Sequence, residues 1–200
     1  MKKVLIIASS NVHKIREFRS ILKHFNHLDI LSLRDFPSYV PPEETGSTFE
    51  ANAILKAVSA AKALNQLILA DDSGLIIPAL NGAPGIFSAR YAGDKATDME
   101  NRKKLLEDMR HLTDIQRQGY FECCLALATP KSVEKCVRGV TEGMITLEER
   151  GSGGFGYDSL FIKHEYGKTF AELEEDVKNR ISPRRKALDK LLLTLESLCV

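Results

Sequence analysis

Short continuous apolar runs alternate along this chain with stretches whose apolar residues recur every three or four positions, the mark of strands alternating with helices. Val4 to Ile7 is an apolar run rich in β-branched residues, and Ile15, Phe18, Ile21, Leu22 and Phe25 then fall at helical spacing. The pattern predicts a strand, a tight turn at Ser9-Ser10-Asn11 and a helix capped by Asn11. Leu28 to Leu33 reads as a second strand. Pro37, Pro41 and Pro42 make an irregular link ending at Glu43-Glu44-Thr45-Gly46. Ser47-x-x-Glu50 is a capping box for the next helix, whose face of Phe49, Ala53, Ala57, Ala60, Ala61 and Leu64 is small enough for close packing.

Leu67 to Ala70 reads as a short buried strand that delivers Asp71, Asp72 and Ser73 to its end, with Gly74 following and Leu75-Ile76-Ile77-Pro78 as another short strand. Gly82 to Gly93 is loop-like, with three glycines and a proline. Thr97-x-x-Glu100 caps a further helix, whose apolar positions Met99, Leu105, Leu106, Met109 and Leu112 are expected in the core. Tyr120 to Thr129 and Val133 to Thr146 flank Pro130-Lys131-Ser132 as an antiparallel hairpin. Gly151-Ser152-Gly153-Gly154-Phe155-Gly156 satisfies G-x-G-x-x-G, but Ser159 to Ile162 continues as a strand and not as a helix, which excludes a dinucleotide fingerprint. Ser182 and Pro183 are an N-cap and a first helical residue. They open a final helix with Leu188, Leu191, Leu192, Leu195 and Leu198 as its buried stripe.

This alternation defines an α/β protein. Its 200 residues suit one domain, or one domain with two lobes, and 44% apolar content is enough for a real core. With 28 Lys and Arg against 27 Asp and Glu, the net charge of +1 provides no field of one sign for a nucleic acid or a membrane surface. Any anion must be met locally. Cys123, Cys124, Cys136 and Cys199 show no zinc spacing and fit reduced thiols in a cytoplasmic protein. The first three are most simply small core residues. No apolar run is long enough to serve as a signal-peptide core or to span a membrane.

Candidate chemistry gathers at four places. Asp71 and Asp72 could hold a hard divalent cation, or one could act as a base; an Asx-bonded turn is the plain alternative. Glu43 and Glu44 could come near that pair, or could simply favour the helix start that follows them. Lys14 stands in the first turn of the first helix, and Arg184, Arg185 and Lys186 in the first turn of the last, with Lys178 and Arg180 close by. Cations at two positive helix ends suggest bound anions, since a phosphate reverses the unfavourable sign; solvated basic residues are the other reading. Phe155 and Tyr157 offer flat faces for a base, or fill a core. The set is the equipment for a nucleoside polyphosphate, without a Walker A, kinase or G-x-S-x-G signature.

Several blocks carry a resemblance that goes further. They are Ser9-Ser10-Asn11-Val12-His13-Lys14, Glu43-Glu44-Thr45-Gly46-Ser47-Thr48-Phe49-x-x-Asn52-Ala53, Ala70-Asp71-Asp72-Ser73-Gly74-Leu75, the run from Gly82 to Tyr91, and Gly153-Gly154-Phe155-Gly156-Tyr157-Asp158. In order and spacing, from residue 4 to about 195, they resemble the Ham1 family of inosine/xanthosine triphosphate pyrophosphatases. The resemblance implies a long, curved mixed sheet flanked by helices, with two lobes in a single domain of residues 1–200 and the nucleotide in the cleft between them. It implies hydrolysis of ITP, dITP and XTP to monophosphate and pyrophosphate, Mg²⁺ as cofactor, a cytoplasmic homodimer, and no direct nucleic-acid or membrane partner.

Carried over motif by motif, the resemblance makes Asp72 the catalytic acceptor and a metal ligand, with Glu44 and Asp71 assisting at the metal. Ser9, Ser10, Asn11 and Lys14 would meet the triphosphate and Ser73 the substrate. Phe155, Gly156, Tyr157 and Asp158 would line the nucleoside, with Lys178 and Arg184 near base or phosphate. The chain departs from the family pattern twice. Ser10 stands where glycine is common, and Ser182-Pro183-Arg184 stands where Ser-His-Arg is common, so a histidine expected to read the base is missing. A pyrophosphatase of modified pyrimidine nucleotides, like the Maf proteins, and a nucleotide-binding module without catalysis are the competing readings.

Overall fold

A computed structural model describes residues 2–199, and side chains as far as residue 198; the expectation for the Cys199 thiol lies outside the described residues. The strands are β1 (Lys3–Ile7), β2 (Leu28–Ser32), β3 (Leu67–Ile76), β4 (Gln118–Ala128), β5 (Val133–Ile145), β6 (Phe161–Lys163) and β7 (Lys168–Thr169). The helices are α1 (Val12–Ile21), α2 (Phe49–Leu64), α3 (Asp98–Asp108), α4 (Glu175–Ile181), α5 (Pro183–Asp189) and α6 (Leu192–Cys199). The strands form one mixed, open sheet of seven in the order β2-β1-β3-β4-β5-β6-β7. β1 runs parallel to both β2 and β3, with Leu5 opposite Leu67 and Ile7 opposite Leu69. At the other end β6 pairs antiparallel with β5 and β7. The apolar run of β1 is therefore explained by burial on both faces, as parallel strands require.

The chain divides into two compact units, residues 1–72, 123–139 and 184–200 in the first and residues 73–122 and 140–183 in the second. The core of the first joins Leu5 and Ile7 to Phe18, Leu67, Leu69, Leu125, Leu188 and Leu195. In the second, Leu75, Ile77, Leu105, Met109, Leu160, Phe161 and Phe170 pack together. Phe161 lies 4.6 Å from Phe121 and 5.0 Å from Phe170 between ring centroids. Arg117, buried and with no carboxylate on its guanidinium, donates to the carbonyls of Met109 (2.8 Å), Ile145 (2.9 Å) and Thr146 (2.6 Å). It ties the end of α3 to the end of β5.

Several boundaries differ from the reading of the sequence, each for a local reason. The two short strands expected around Asp71 are one ten-residue strand, β3, so the acids sit mid-strand and not at its end. Asp and Gly are poor strand formers, which is why they read as a turn; tertiary partners for the carboxylates outweigh that preference. Thr48, not Ser47, caps α2, its Oγ accepting from the Ala51 N–H at 3.1 Å. The single final helix is two, because Lys190 and Leu191 bond back three residues, to Ala187 and Leu188, and tighten the end of α5. Its Leu188, Leu191 and Leu195 are nonetheless buried as the stripe requires. Met99, assigned to the core by spacing, is 64% exposed. The capping box of Thr97 and Glu100 forms as read.

Candidate functional site

Consecutive residues of a strand face opposite sides of the sheet, and β3 uses this to separate its two acids. Asp71 is 3% exposed and faces α1 and α5. Arg184 donates to its Oδ2 from Nη2 (2.7 Å) and Nε (3.2 Å), while the Lys14 ammonium lies 2.7 Å from its Oδ1. Cys123 Sγ is 3.5 Å from Oδ2. The remaining arm of Arg184, itself 4% exposed, donates to the buried Glu17 of α1. Burial alone would raise the Asp71 carboxyl; Arg184, Lys14 and Lys56 overcome that and hold it well below the ordinary range. Burial and the neighbouring Asp71 charge push the Cys123 thiol up, which marks it as an inert core residue.

Asp72, 7% exposed, faces α2 instead. Asn52 and Lys56 stand one turn apart on that helix, so both reach the same carboxylate. Asn52 Nδ2 donates to Asp72 Oδ2 at 3.2 Å, and its Oδ1 accepts from the Gly46 N–H at 2.8 Å. A side chain on Gly46 would collide with that same Oδ1, so glycine is needed for the close approach. The Lys56 ammonium lies 2.8 Å from Asp72 Oδ1 and 2.8 Å from Glu44 Oε1, one cation spanning two acids. Burial raises the Asp72 carboxyl above its ordinary range; Lys56 works against this and Glu44 adds to it. Lys56, which burial would lower, is raised by Asp72 and Asp71 and stays cationic.

A hard divalent cation needs carboxylate oxygens converging on one point, and Asp72 and Glu44 converge on a nitrogen of like charge sign. That donor set fits Mg²⁺. Among the described residues no group of three or more His, Cys, Asp or Glu is placed to hold a metal. Asp71, expected as a third ligand, instead has both oxygens within reach of cationic side chains on the opposite face of the strand.

The turn after β1 is also internally engaged. Ser9 Oγ accepts from the Asn11 N–H at 3.1 Å, and Asn11 Oδ1 accepts from the N–H groups of His13 (2.9 Å) and Lys14 (3.2 Å). Asn11 is the cap that its position suggested, and it takes up two of the helix's unpaired donors. Ser10 is exposed and not in the left-handed region, so serine in place of glycine costs no backbone strain there. The two basic helix starts have a shared answer in this unit. The anions beside Lys14 and Arg184 are the protein's own Asp71 and Glu17, and Arg185 pairs with Asp189 at 2.7 Å. Pro183 starts α5 and Arg184 follows it inward, whatever the missing histidine would have done.

The second unit carries the glycine–aromatic loop. Gly154, at φ +74°, lets the chain turn so that Asp158 comes back over it; any side chain there would overlap the Asp158 carboxylate. Asp158 Oδ2 accepts from the Phe155 N–H at 2.8 Å and from the buried Lys178 ammonium of α4, which sits 4.9 Å from the centre of the Phe155 ring. Tyr157, expected to line the nucleoside, is buried, and its hydroxyl donates to the Ser88 carbonyl at 2.8 Å. Ser73, half-buried in β3, clusters with this unit although its neighbour Asp72 clusters with the first. After Asp158 the chain turns directly into β6, without the helix a dinucleotide fingerprint needs.

The structure thus brings Lys14, Asp71, Arg184 and, across the strand, Glu44 and Asp72 into one unit, and Phe155, Gly156, Asp158 and Lys178 into the other. Glu17, Asn52 and Lys56 were missed. Lys56 carried a readable signal, a cation on the small-residue face of α2 beside Ala53 and Ala57. Glu17 likewise shares a helical face with Lys14 and Phe18. Asp98 and Arg102, taken up below, gave none.

A mixed open sheet with helices on it, presenting a buried acid pair braced by lysine and arginine, defines an α/β protein built around a charged centre. Compared with known proteins, the chain matches the model of the Ham1 family over residues 5–194. The dITP/XTP pyrophosphatase of Protochlamydia amoebophila (strain UWE25) is 57% identical over 195 residues, 97% of this chain and 98% of that protein. Solved Ham1 proteins from Coxiella burnetii (TM-score 0.87) and Staphylococcus aureus (TM-score 0.85) are each 42% identical, covering 98% of this chain and 99% of theirs. The chain belongs to the Ham1 family.

Proposed function

We propose that this protein hydrolyses non-standard purine nucleoside triphosphates, ITP, dITP and XTP, to the monophosphate and pyrophosphate, and so removes deaminated purines from the nucleotide pool. The observation that carries the reading is the Lys56 bridge between Asp72 and Glu44: one position where a buried acid, a half-buried acid and a cation already meet. Relatives of this chain bear the name dITP/XTP pyrophosphatase at more than half identity.

In the proposed reaction Asp72, a carboxylate held in place by Asn52 and Lys56, accepts the proton of the attacking water. Asp72 and Glu44 would hold Mg²⁺, which would supply neutralisation of phosphate charge. Lys56 and Lys14 turn from their acids to the phosphate oxygens, where fixed cations stabilise the charge that develops on departing pyrophosphate. Asp71, engaged by Arg184, serves to brace Lys14 and not to ligate metal. Phe155 borders the nucleoside. Lys178 is the donor for the six-position of the base: inosine and xanthosine present a carbonyl acceptor there, whereas the adenine amino group would face a donor and leave both unsatisfied. Arg184 is too fully engaged with Asp71 and Glu17 to share that task.

A homodimer in the cytoplasm completes the reading. Cys123, Cys124 and Cys136 form no disulfide, and no described helix is long and apolar enough to cross a membrane. The test is incubation with ITP, XTP, dUTP and ATP, with and without Mg²⁺. Consumption of ITP and XTP with release of pyrophosphate, lost on chelation, is the expected result. Preference for dUTP would point to pyrimidine substrates, release of orthophosphate would move the cleaved bond, and consumption of none would leave a binding module. Light scattering after gel filtration tests the dimer.

A further inference from the structure

The backbone of Gly156, in the middle of the glycine–aromatic loop, is held by one helix at both its N–H and its carbonyl, and so at the two peptide groups that flank the residue. Asp98, the first residue of α3, accepts from the Gly156 N–H at 2.7 Å through Oδ2. Arg102, one turn later, donates to the Gly156 carbonyl at 3.0 Å through Nη1. Residues four apart lie on one face of a helix, so an acceptor and a donor are presented side by side to the N–H and the carbonyl of this one residue. Arg102 is in turn fixed by Glu149, whose Oε2 lies 2.8 Å from its Nε and accepts from Ser159 Oγ at 3.0 Å. Asp98, at the positive end of the helix, is where a carboxylate is favoured.

Gly156 has φ +60° and no neighbour that would pack against a side chain there, so these two side chains are what holds its own N–H and carbonyl. The consequences run outward along the chain. Phe155 precedes this residue and Asp158 follows it by two. Asp158 binds the Phe155 N–H and the Lys178 ammonium, and Lys178 lies over the Phe155 ring. The placement of the aromatic face and of the Lys178 donor therefore depends on how the Gly156 backbone is held.

We infer that Asp98 and Arg102 are positioning residues for base recognition: through the Gly156 backbone they hold Phe155 and Lys178 in the arrangement that separates six-oxo from six-amino purines. This rests on the hydrolase reading above. The hydrogen bonds of both residues are to their own unit and neither is part of the acid centre, so their loss should weaken and blur nucleotide recognition while leaving the chemical step alone.

The experiment is steady-state kinetics of Asp98→Ala, Asp98→Asn and Arg102→Met with ITP and ATP, each protein first checked by thermal melting. In Asp98→Ala and Arg102→Met, KM for ITP should rise about tenfold, the size of one lost hydrogen bond of roughly 1.4 kcal/mol. kcat should stay within about twofold and the ITP-to-ATP ratio of kcat/KM should fall. Asp98→Asn keeps an oxygen that can accept from Gly156 and should restore the wild-type KM. Unchanged KM and selectivity in the two disruptive variants would overturn the inference, as would an Asn variant no better than Ala, or a fall in kcat with KM intact. If Asp98→Ala does not fold, Arg102→Met and the Asn rescue decide. A wild-type protein that ignores ITP would instead sink the hydrolase reading itself.

Discussion

Asp71 and Gly156 are both held by paired interactions from two sides, but by different means. Asp71 is a buried charge held by charges, Arg184 and Lys14, drawn from helices far apart in the sequence. Gly156 is a backbone group held by two side chains of a single helix turn near the surface. The first arrangement is stiff, because any departure leaves an ion without its partner in a dry interior, where the cost of desolvation is several kcal/mol per ion. The second can be adjusted at the cost of one hydrogen bond of about 1 kcal/mol. A centre that must place acids and cations in register suits the first. On the proposed reading, a loop that distinguishes purines differing at one edge suits the second, since modest changes there would alter recognition without dismantling the fold.

The largest expected effect divides the acid pair. Asp72→Asn should cut turnover of ITP by about 10²–10⁴-fold, the usual contribution of a general base, with its melting temperature close to wild type. A folded Asp72→Asn protein with wild-type rates would remove that role. Next, Arg184→Met leaves Asp71 and Glu17 buried without their counter-charge and should cost about 3–5 kcal/mol of stability, read as a lowered urea midpoint. Loss of ITP selectivity with unchanged stability would show instead that Arg184 serves the base. On the other side of the comparison, Lys178→Met should lower the preference for ITP over ATP by roughly 10- to 100-fold, the worth of a charged hydrogen bond, and should also lower the urea midpoint, because it leaves the buried Asp158 carboxylate without its cation. An unaltered ratio would relieve Lys178 of base reading.

The smallest effect concerns the start of α3. Glu100 bonds the Thr97 backbone and side chain, and these bonds hold its carboxyl below the ordinary range. A depressed folded-state pKa stabilises above the unfolded value of about 4.3 and is lost as the pH falls through the folded value. Wild type should therefore melt slightly above Glu100→Gln at neutral pH. The gap should close on acidification. A gap that persists at low pH would mean that the cap acts through packing and not through charge.

The sequence conveyed the first unit unevenly. The β1 run, the Asn11 cap and the acids of β3 were visible because each is a local pattern of residue types with a physical meaning of its own. Even the error at β3 is instructive: strand propensity read Asp71 and Asp72 as a strand's end, while buried cations from α1, α2 and α5 keep the strand going. The cations at the starts of α1 and α5 were read as pointing to bound anions, and the partners seen beside them are carboxylates of the protein itself. Which anions was invisible, because Arg184 and Glu17 are 167 residues apart. In the second unit the glycines announced a loop, and Phe155 and Asp158 were found within it. That the Tyr157 hydroxyl donates to Ser88 was not legible there. Asp98 and Arg102 look like the charged surface of any helix.

By itself, then, the sequence determined the class of fold, the acids, the cations and the family, since periodicity and residue order are properties of the chain alone. The tertiary structure decided the partnerships: Asp71 with Arg184 and Lys14, Asp72 with Lys56 and Glu44, Gly156 with Asp98 and Arg102. Pairing depends on which side of a strand and which turn of a helix meet in space, and a strand's alternation gives two adjacent, chemically identical aspartates different partners on opposite faces of the sheet.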